Sequence, residues 1–417
     1  MLNISVIGLG IHQPPVLTTT AQQALGQAQA VFGSARQLAS VAHLLATDCE
    51  PCELPKLTQL AQQLQPYQQV VILASGDPLL FGIGKFLQQE FPQQVTCYSG
   101  ISSLQGACQL TGLSLQDAQL VSLHGRPLNS LRRHLQPNRQ LLVLTDQHSQ
   151  PQHLAQQLAD VNLGASRLHV CERLGYADQR YRQFSVQQLL AHDLTFDALH
   201  VSVIETRGPG GIIPNFPGIP DHEFITDGVS VTGRGAGHGL LTKREVRLAI
   251  LSLLQAGPDQ IGWDIGAGCG GVAVEWALWN PKGQVYAIEH HQQRFDCLQA
   301  NRDKFGVGQN LYAVQQTAPQ GLSDLPSPDK VFVGGSSGAL NAIMLAAWQA
   351  LRPGGRLLAS AVTEQSKATL LQFGNQVGCD IAELLQVSVS RADKLAGHDL
   401  LRPNLPITLI CWDKPHE

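Results

Sequence analysis

The sequence predicts an α/β protein with two ligand-holding domains, and three observations carry that reading. Apolar runs of strand length alternate with segments of helical spacing along most of the chain, the pattern of α/β layers built on largely parallel sheets. Two of the strands hand over to helices through different glycine-bearing turns: Ser75-Gly-Asp-Pro78 after Val70–Ala74, and Asp264-Ile-Gly-Ala-Gly-Cys-Gly270 after Gln260–Trp263. Turns at the carboxyl ends of strands are where α/β sheets hold small ligands. Between them, Thr206–Pro220 places four prolines and four glycines in fifteen residues, which neither a helix nor a central strand tolerates. The expected organisation is a domain over 1–205, a Pro/Gly linker over 206–224 and a second domain over 225–417.

In the first domain, Asn3–Ile7 is a buried strand ending in Gly8-Leu-Gly10, and Val70–Ala74 is another. Gly82–Glu90 has apolar Ile83, Phe86 and Leu87 at helical spacing. Gln94–Tyr98 is a strand closed by Ser99-Gly100, and Ile101–Thr111 is a helix entered through serines, which suit N-caps. Strands follow at 119–123, 140–144, 168–171 and 199–204, with a helix over 152–161.

In the second domain a Gly-rich stretch, 232–239, precedes Thr242-Lys-Arg-Glu245, which has the form of a capping box. A helix continues through Val246, Ala249, Ile250 and Leu253. Strand (260–265), glycine loop, helix (272–279) and strand (284–288) then form the first half of a doubly wound, Rossmann-like sheet. Further strands are expected at 310–314, 330–333, 356–359 and 406–412.

Composition narrows the function. The chain has 417 residues, more than one ordinary core, and its 43% hydrophobic content can fill two. A net charge of −4 leaves no electrostatic footprint for nucleic acid or an anionic membrane, so neither partner is expected. An acidic ligand must be met by local Arg and Lys. No apolar run reaches membrane-spanning length, and Met1–Ser5 has no basic region, so a cytoplasmic protein with reduced thiols is expected. The nine cysteines are scattered and odd in number, against a disulfide framework. Cys49-Glu-Pro-Cys52 lacks a second pair or a well-spaced His, so it reads as two loop cysteines and no metal site is expected.

The loop Gly266-Ala-Gly-Cys-Gly-Gly271 satisfies both the dinucleotide pattern and the first motif of Rossmann-like S-adenosylmethionine methyltransferases. In either case glycines let backbone amides approach the ligand. Asp264, two residues before Gly266, can order the loop and help hold a charged amino acid moiety. Glu289 ends the next strand, where a carboxylate accepts two ribose hydroxyls. Leu351–Leu358 is a helix end, a tight turn and a strand, as in many methyltransferases. These features favour S-adenosylmethionine at Asp264, Gly266, Ala267, Gly268, Gly270 and Glu289. The alternative is an NAD-dependent oxidoreductase using the same loop.

The first loop lacks the Lys and Ser/Thr of a P-loop and by itself is a turn. Together, Ser75-Gly-Asp-Pro-Leu-Leu-Phe-Gly82, Ser99-Gly-Ile-Ser-Ser103 and Ser122-Leu-His-Gly-Arg126 resemble the hallmarks of the tetrapyrrole (precorrin and uroporphyrinogen) methylases. That resemblance implies a tetrapyrrole-methylase fold of two α/β subdomains with S-adenosylmethionine between them, lined by Gly76, Asp77, Pro78, Ser102 and Ser103. The family's usual Gly-x-Gly-Pro-Gly opening is replaced by Gly8-Leu-Gly10 followed by Ile-His-Gln-Pro-Pro15, so the loop that faces substrate is altered. In the second half, Pro220–Phe224, Leu241–Val246, Trp263–Gly268, Gln316-Thr-Ala-Pro319 and Val333-Gly-Gly335 resemble the decarboxylating precorrin methyltransferase domain. This adds Thr242 and Ala318 to the implied cofactor contacts. The tandem is similar to fused methylases of vitamin B12 synthesis over nearly the whole chain.

The resemblance implies two methyl transfers to ring carbons of a precorrin and loss of CO2 from an acetate side chain. The N-terminal domain would methylate carbon 5; the C-terminal domain would methylate carbon 15 and decarboxylate. Each domain would use one S-adenosylmethionine, two per chain, and the family's habit points to a homo-oligomer. Such chemistry needs alignment and exclusion of water more than a strong base, and the sequence holds no Gly-x-Ser-x-Gly elbow and no His-Glu-x-x-His. No catalytic residue is assigned, and His222 and Glu223 are left without a role. For the polycarboxylate substrate, Arg234, Lys243, Arg244 and Arg247 cluster before the second loop. Of these Lys243 is retained as a candidate, while Arg244 and Arg247 are expected on a solvated helix face. His124 and Arg126 could face the tetrapyrrole. His290-His291, read as adjacent strand residues on opposite faces, gives no metal pair. A methyltransferase for another small molecule, with only the C-terminal site active, is the remaining alternative.

Overall fold

A computed structural model describes residues 2–228, 241–395 and 397–416; the Gly-rich stretch 232–239 and Arg234 lie outside the described residues. The chain forms two compact units, one of Met1–Leu128 with Pro137–Gly210 and one of Asn129–Gln136 with Gly211–Glu417.

The first unit opens with β1 (Asn3–Gly8), α1 (Thr19–Gly26), β2 (Ala30–Gly33), α2 (Ala35–Val41), β3 (Glu50–Glu53), α3 (Leu57–Leu64), β4 (Gln69–Ala74), α4 (Gly84–Glu90) and β5 (Val95–Tyr98). These strands make a fully parallel sheet in the order β3-β2-β4-β1-β5. The apolar runs explain it. Ile4, Val6, Val70 and Ile72 bury one face against Leu60, Leu64 and Leu87. Ile7, Val71 and Leu73 bury the other against Leu25 and Val41. Strands buried on both faces read as continuous hydrophobic runs. Cys52 lies in β3, at the sheet's edge, and not in a loop as expected. Glu50-Pro-Cys-Glu53 is too polar and too short for the strand signal, and an edge position tolerates its proline.

The unit continues with α5 (Ser103–Thr111), β6 (Gln119–Ser122), β7 (Gln140–Leu144), α6 (Pro151–Asp160), β8 (Arg167–Glu172), β9 (Arg180–Ser185), α7 (Val186–Ala191) and β10 (His200–Glu205). The sheet order is β6-β7-β10-β8-β9, and here the expectation of largely parallel pairing fails. Only β6 and β7 are parallel; β10 runs against both β7 and β8, and β9 against β8. The reason is local: residues 173–179 join β8 directly to β9, and a short connection without a crossover helix permits only antiparallel neighbours.

The second unit contains α8 (Arg244–Leu254), β11 (Ile261–Ile265), α9 (Gly271–Trp279), β12 (Gln284–Ile288), α10 (Gln292–Lys304), β13 (Leu311–Val314), β14 (Lys330–Val333), α11 (Leu340–Ala350), β15 (Arg356–Ala361), α12 (Glu364–Val377), β16 (Glu383–Val387), β17 (Ser390–Leu395), β18 (His398–Pro403) and β19 (Ile407–Asp413). Seven strands form one sheet ordered β13-β12-β11-β14-β15-β19-β16, while β17 and β18 pair separately as a hairpin. Pairing is parallel from β13 to β15, and β19 is antiparallel to both its neighbours. This is a doubly wound sheet whose strand order reverses between β11 and β14, the place where such sheets bind ligands. Among the described residues no helix is long and apolar enough to cross a membrane.

Residues expected as linker join the second core in part. Ile213 and Ile219 are buried with Phe224, Val246 and Val272.

Candidate cofactor sites

In the second unit, β11 delivers Asp264 and then three left-handed glycines, Gly266, Gly268 and Gly270, with φ of 73°, 57° and 85°. That backbone is cheap only for glycine. A Cβ on Gly266 would lie 2.5 Å from the Gly335 carbonyl oxygen, so the loop touches the Val333-Gly-Gly335 turn backbone to backbone across the switch point. The Gly266 and Ala267 amides donate to the Ile288 carbonyl at 2.9 and 3.0 Å. Glu289, buried past the end of β12, accepts from the Gly268 amide through Oε2 at 2.9 Å and from the His291 amide through Oε1 at 2.8 Å. It thus sets the loop's shape and keeps lone pairs for further donors.

Asp264 is 1% exposed, and neither carboxylate oxygen has a hydrogen-bond partner. Burial pushes its carboxyl up to about 7; the Ala273 amide opposes this without reaching hydrogen-bond geometry, and the Glu289 charge adds to it. An orphaned buried acid in a structural core is costly, so it marks a place for a ligand. A ligand with a cationic group and a diol fits these atoms, and S-adenosylmethionine carries both. Beside the loop, Gly334, Gly335, Ser336, Ser360, Thr363 and Ser366 help line a cavity of about 160 Å³ at the ends of β14 and β15.

The segment 241–243 runs over this loop, since a Cβ on Gly271 would meet Leu241 Cδ1 at 2.7 Å and Arg247 Cδ at 3.1 Å. Thr242 and Lys243 are half-buried there. The expected capping box is not made: α8 is entered through Lys243 with no side-chain cap from its own sequence. Asp221 Oδ1 accepts the Arg244 amide instead, at 3.0 Å, while Glu245 is drawn to Arg391 at 2.7 Å. Ala318, half-buried after β13, packs on the cluster that holds Ile265 and Ile288.

Arg247 is the clearest correction. It is fully buried, not on a solvated face. Its Nε donates to Glu275 Oε1 at 2.7 Å and its Nη1 to Asp221 Oδ1 at 2.7 Å and to the Thr242 carbonyl at 2.6 Å. Its Nη2 donates to the Ile219 carbonyl, and its guanidinium lies 4.8 Å from the Phe224 ring centroid. Glu275 also accepts the Gly218 and Ile219 amides at 2.8 and 3.2 Å. This network ties the end of the Pro/Gly stretch to the helices flanking the loop. One signal in the sequence could have found it: Glu275 is the single charge in Gly271–Trp279, an otherwise apolar helix, and a buried acid needs a buried cation. Arg244 does remain exposed. Glu223 pairs with Lys304 at 3.2 Å and His222 is exposed. His290 and His291 follow β12 instead of lying on it, and among the described residues no cluster of three or more His, Cys, Asp and Glu could hold a metal.

In the first unit, three turns interlock beyond the ends of β1, β4 and β5. Gly10 and Gly76 exchange backbone hydrogen bonds at 3.2 and 3.3 Å. A Cβ on Gly100 would fall 2.4 Å from the Gly76 oxygen and 2.7 Å from the Gly8 oxygen, and one on Gly8 would fall 2.8 Å from Pro78 Cδ. Asp77 Oδ1 accepts the Leu79 amide at 2.8 Å, closing the turn. Ser102 caps α5, its Oγ accepting the Gln105 amide at 3.3 Å while Gln105 Oε1 accepts the Ser102 amide at 2.8 Å. Ser103 is the first helical residue. The structure therefore brings Gly76, Asp77, Pro78, Ser102 and Ser103 to one corner. The altered loop also has a seat, because Ile11 Cδ1 fills the place of a Gly106 Cβ and its carbonyl lies 2.3 Å from a Gly175 Cβ. His124 and Arg126 are exposed on the turn after β6. That turn is pinned by Asp146 Oδ2, which accepts the Gly125 amide at 2.9 Å; this bond and that of the His148 amide hold the Asp146 carboxyl below its ordinary range against its desolvation.

Comparison with known proteins gives two family matches. Residues 3–190 match the tetrapyrrole (corrin/porphyrin) methylases, and residues 236–414 match a precorrin methyltransferase domain. The chain is 35% identical over 419 residues to a precorrin-6Y C(5,15)-methyltransferase [decarboxylating] of Sinorhizobium sp, covering 99% of this chain and 96% of that protein. It is 30% identical over 199 residues to a probable cobalt-precorrin-6B C(15)-methyltransferase (decarboxylating) of Methanothermobacter thermautotrophicus, covering 48% of this chain and 98% of that one. A crystal structure of a precorrin-6Y C5,15-methyltransferase from Geobacter metallireducens GS-15 aligns with a TM-score of 0.43 at 34% identity, over 47% of this chain and 98% of that chain.

Proposed function

The chain belongs to the family of precorrin-6Y C(5,15)-methyltransferases (decarboxylating), and from this we propose that each half carries its own S-adenosylmethionine site. The protein is an S-adenosylmethionine-dependent methyltransferase of cobalamin biosynthesis acting on a tetrapyrrole. In our reading residues 1–205 methylate carbon 5, residues 225–417 methylate carbon 15 and decarboxylate, and 206–224 link them. A relative half this length is itself a probable C(15)-methylating decarboxylase, which supports keeping those two steps in one half.

The observation that carries the reading is the pair of strand-end glycine cradles, in which a Cβ on Gly8 or Gly100 in one half, or on Gly266 in the other, would lie less than 3 Å from facing backbone. When bound, the cofactor supplies an electrophilic methyl group on a sulfonium. The chain's part is to hold and align. Gly266, Ala267, Gly268 and Gly270 offer close backbone approach, and Glu289 is placed to accept ribose hydroxyls. The Asp264 carboxyl, near neutrality at about 7, ionises in favour of a cationic ligand group. Thr242 and Ala318 border the same cofactor, and Lys243 offers a cation to a substrate carboxylate. In the other half Gly76, Asp77, Pro78, Ser102 and Ser103 form the cofactor corner, with His124 and Arg126 toward the tetrapyrrole. A homo-oligomer in the cytoplasm belongs to the same reading, and sedimentation tests the assembly.

Two full-length variants test the division. Gly266→Val and Gly100→Val each drive a side chain into backbone less than 3 Å away. We expect Gly266→Val to abolish release of CO2 and Gly100→Val to retain it. Release lost in Gly100→Val and kept in Gly266→Val would reverse the assignment.

A further inference from the structure

Arg36 stands in the first turn of α2, beside the interlocked turns of the first unit. Its Nη1 donates to the Tyr176 hydroxyl at 3.0 Å and its Nη2 to Ser75 Oγ at 3.4 Å. Gln37 Nε2 donates to the same Ser75 oxygen at 3.1 Å. Ser75 is the residue before Gly76. Tyr176 belongs to the 173–179 turn of the second sheet, and that turn meets the altered loop through the close approach of Gly175 to the Ile11 carbonyl. Arg36 thus bridges the two layers of this unit where the cofactor turn and the altered loop converge.

The charges at this mouth are unequal. Arg173 stacks 4.7 Å from the Tyr176 ring centroid and is neutralised by Asp178 at 2.7 Å and Asp197 at 3.5 Å. Arg36 has hydroxyl partners only, is exposed, and meets no carboxylate among the described residues. A guanidinium has five N–H donors in a fixed fork that matches a carboxylate. Arg36 spends two of them on neutral oxygens, so most of its fork and all of its charge remain for a ligand. The protein's net charge of −4 draws no polycarboxylate in by itself, so an uncompensated local cation is what such a substrate needs.

We propose that Arg36 binds a side-chain carboxylate of the tetrapyrrole at the mouth of the N-terminal site, with Tyr176 and Ser75 holding its guanidinium in place. The proposal rests on that corner being a cofactor site. Its test uses the full chain, with Arg36→Gln and Arg36→Lys. Methylation at carbon 5 is followed by mass spectrometry at saturating S-adenosylmethionine, and S-adenosylhomocysteine affinity is measured by calorimetry. The KM for the tetrapyrrole should rise about tenfold in Arg36→Gln, the scale of one charge-assisted hydrogen-bonded contact. S-adenosylhomocysteine affinity should stay within about twofold on the same argument. Arg36→Lys should recover part of the loss as a point charge without the fork. Parallel weakening of S-adenosylhomocysteine would overturn the proposal, because Arg36 would then serve the cofactor's carboxylate or brace the loop. Unchanged KM in both variants would overturn it as well. A wild-type chain that binds a single S-adenosylhomocysteine, lost in Gly266→Val and kept in Gly100→Val, would instead remove the N-terminal site, and the proposal with it.

Discussion

Replacing Asp264 with Asn should stabilise the free protein above neutral pH while weakening its hold on the cofactor. Asp264 is wholly buried, both its oxygens are orphaned, and its carboxyl is raised from 3.8 to about 7. A raised carboxyl means that the folded state binds the proton more tightly than the unfolded state. No penalty exists below the unfolded value. It grows as pH rises from 3.8 toward 7 and is constant above that. About three pH units at about 1.4 kcal/mol each give a cost of about 4 kcal/mol at pH 8. Asn cannot ionise and carries unsatisfied polarity comparable to a protonated Asp. The two proteins should therefore match near pH 4 and diverge by about 4 kcal/mol near pH 8. Tryptophan fluorescence reads the relevant unit, because Trp263, Trp276, Trp279, Trp348 and Trp412 are all five tryptophans of the chain and all lie in the second unit. With a urea slope of about 2 kcal/mol/M, the midpoint should move up by about 2 M at pH 8. A pH-independent difference between the proteins, or a less stable Asn variant at pH 8, would refute the reasoning. Gain of stability with loss of binding is the mark of a functional site.

Two further outcomes follow from the same unit. Arg247→Met leaves Glu275 buried without its cation, so it should destabilise the second unit by about 3–5 kcal/mol in the same urea assay, whereas an exposed helix arginine would cost almost nothing. Glu289→Gln turns one of two amide-accepting oxygens into a donor facing a donor. It should lower S-adenosylhomocysteine affinity about tenfold and stability by about 1–3 kcal/mol, and calorimetry showing unaltered affinity would remove Glu289 from the site.

Legibility in the sequence followed the range of the interactions. The Asp264–Gly270 loop is announced within a few residues by strand, glycines and helix, β4 by the unbroken apolar run Val70–Ala74 and β1 by an apolar run broken only at Ser5; the structure places all three as read. Ser102 was legible as a cap because capping is a contact over three residues. The antiparallel half of the first unit was not: Arg180–Ser185 is too polar to read as a strand, so the short 173–179 connection that sets β9 against β8 goes unseen. Thr242-Lys-Arg-Glu245 had the local form of a cap, yet Asp221 and Arg391, distant in sequence, took its partners. Arg247 misled for the same reason: three of its four partners, Glu275, Asp221 and Ile219, are 26 to 28 residues away. The hairpin β17–β18 escaped because its exposed strands, Ser390–Leu395 and His398–Pro403, mix charged and apolar residues without a buried face to impose alternation.

The central claim is two cofactor sites in one chain, and a count of bound ligand tests it most directly. Calorimetric titration of the full-length protein with S-adenosylhomocysteine should give two per chain, with Gly100→Val and Gly266→Val each removing a different one. A single equivalent, abolished by Gly266→Val and untouched by Gly100→Val, would contradict the account and leave the first unit without a cofactor.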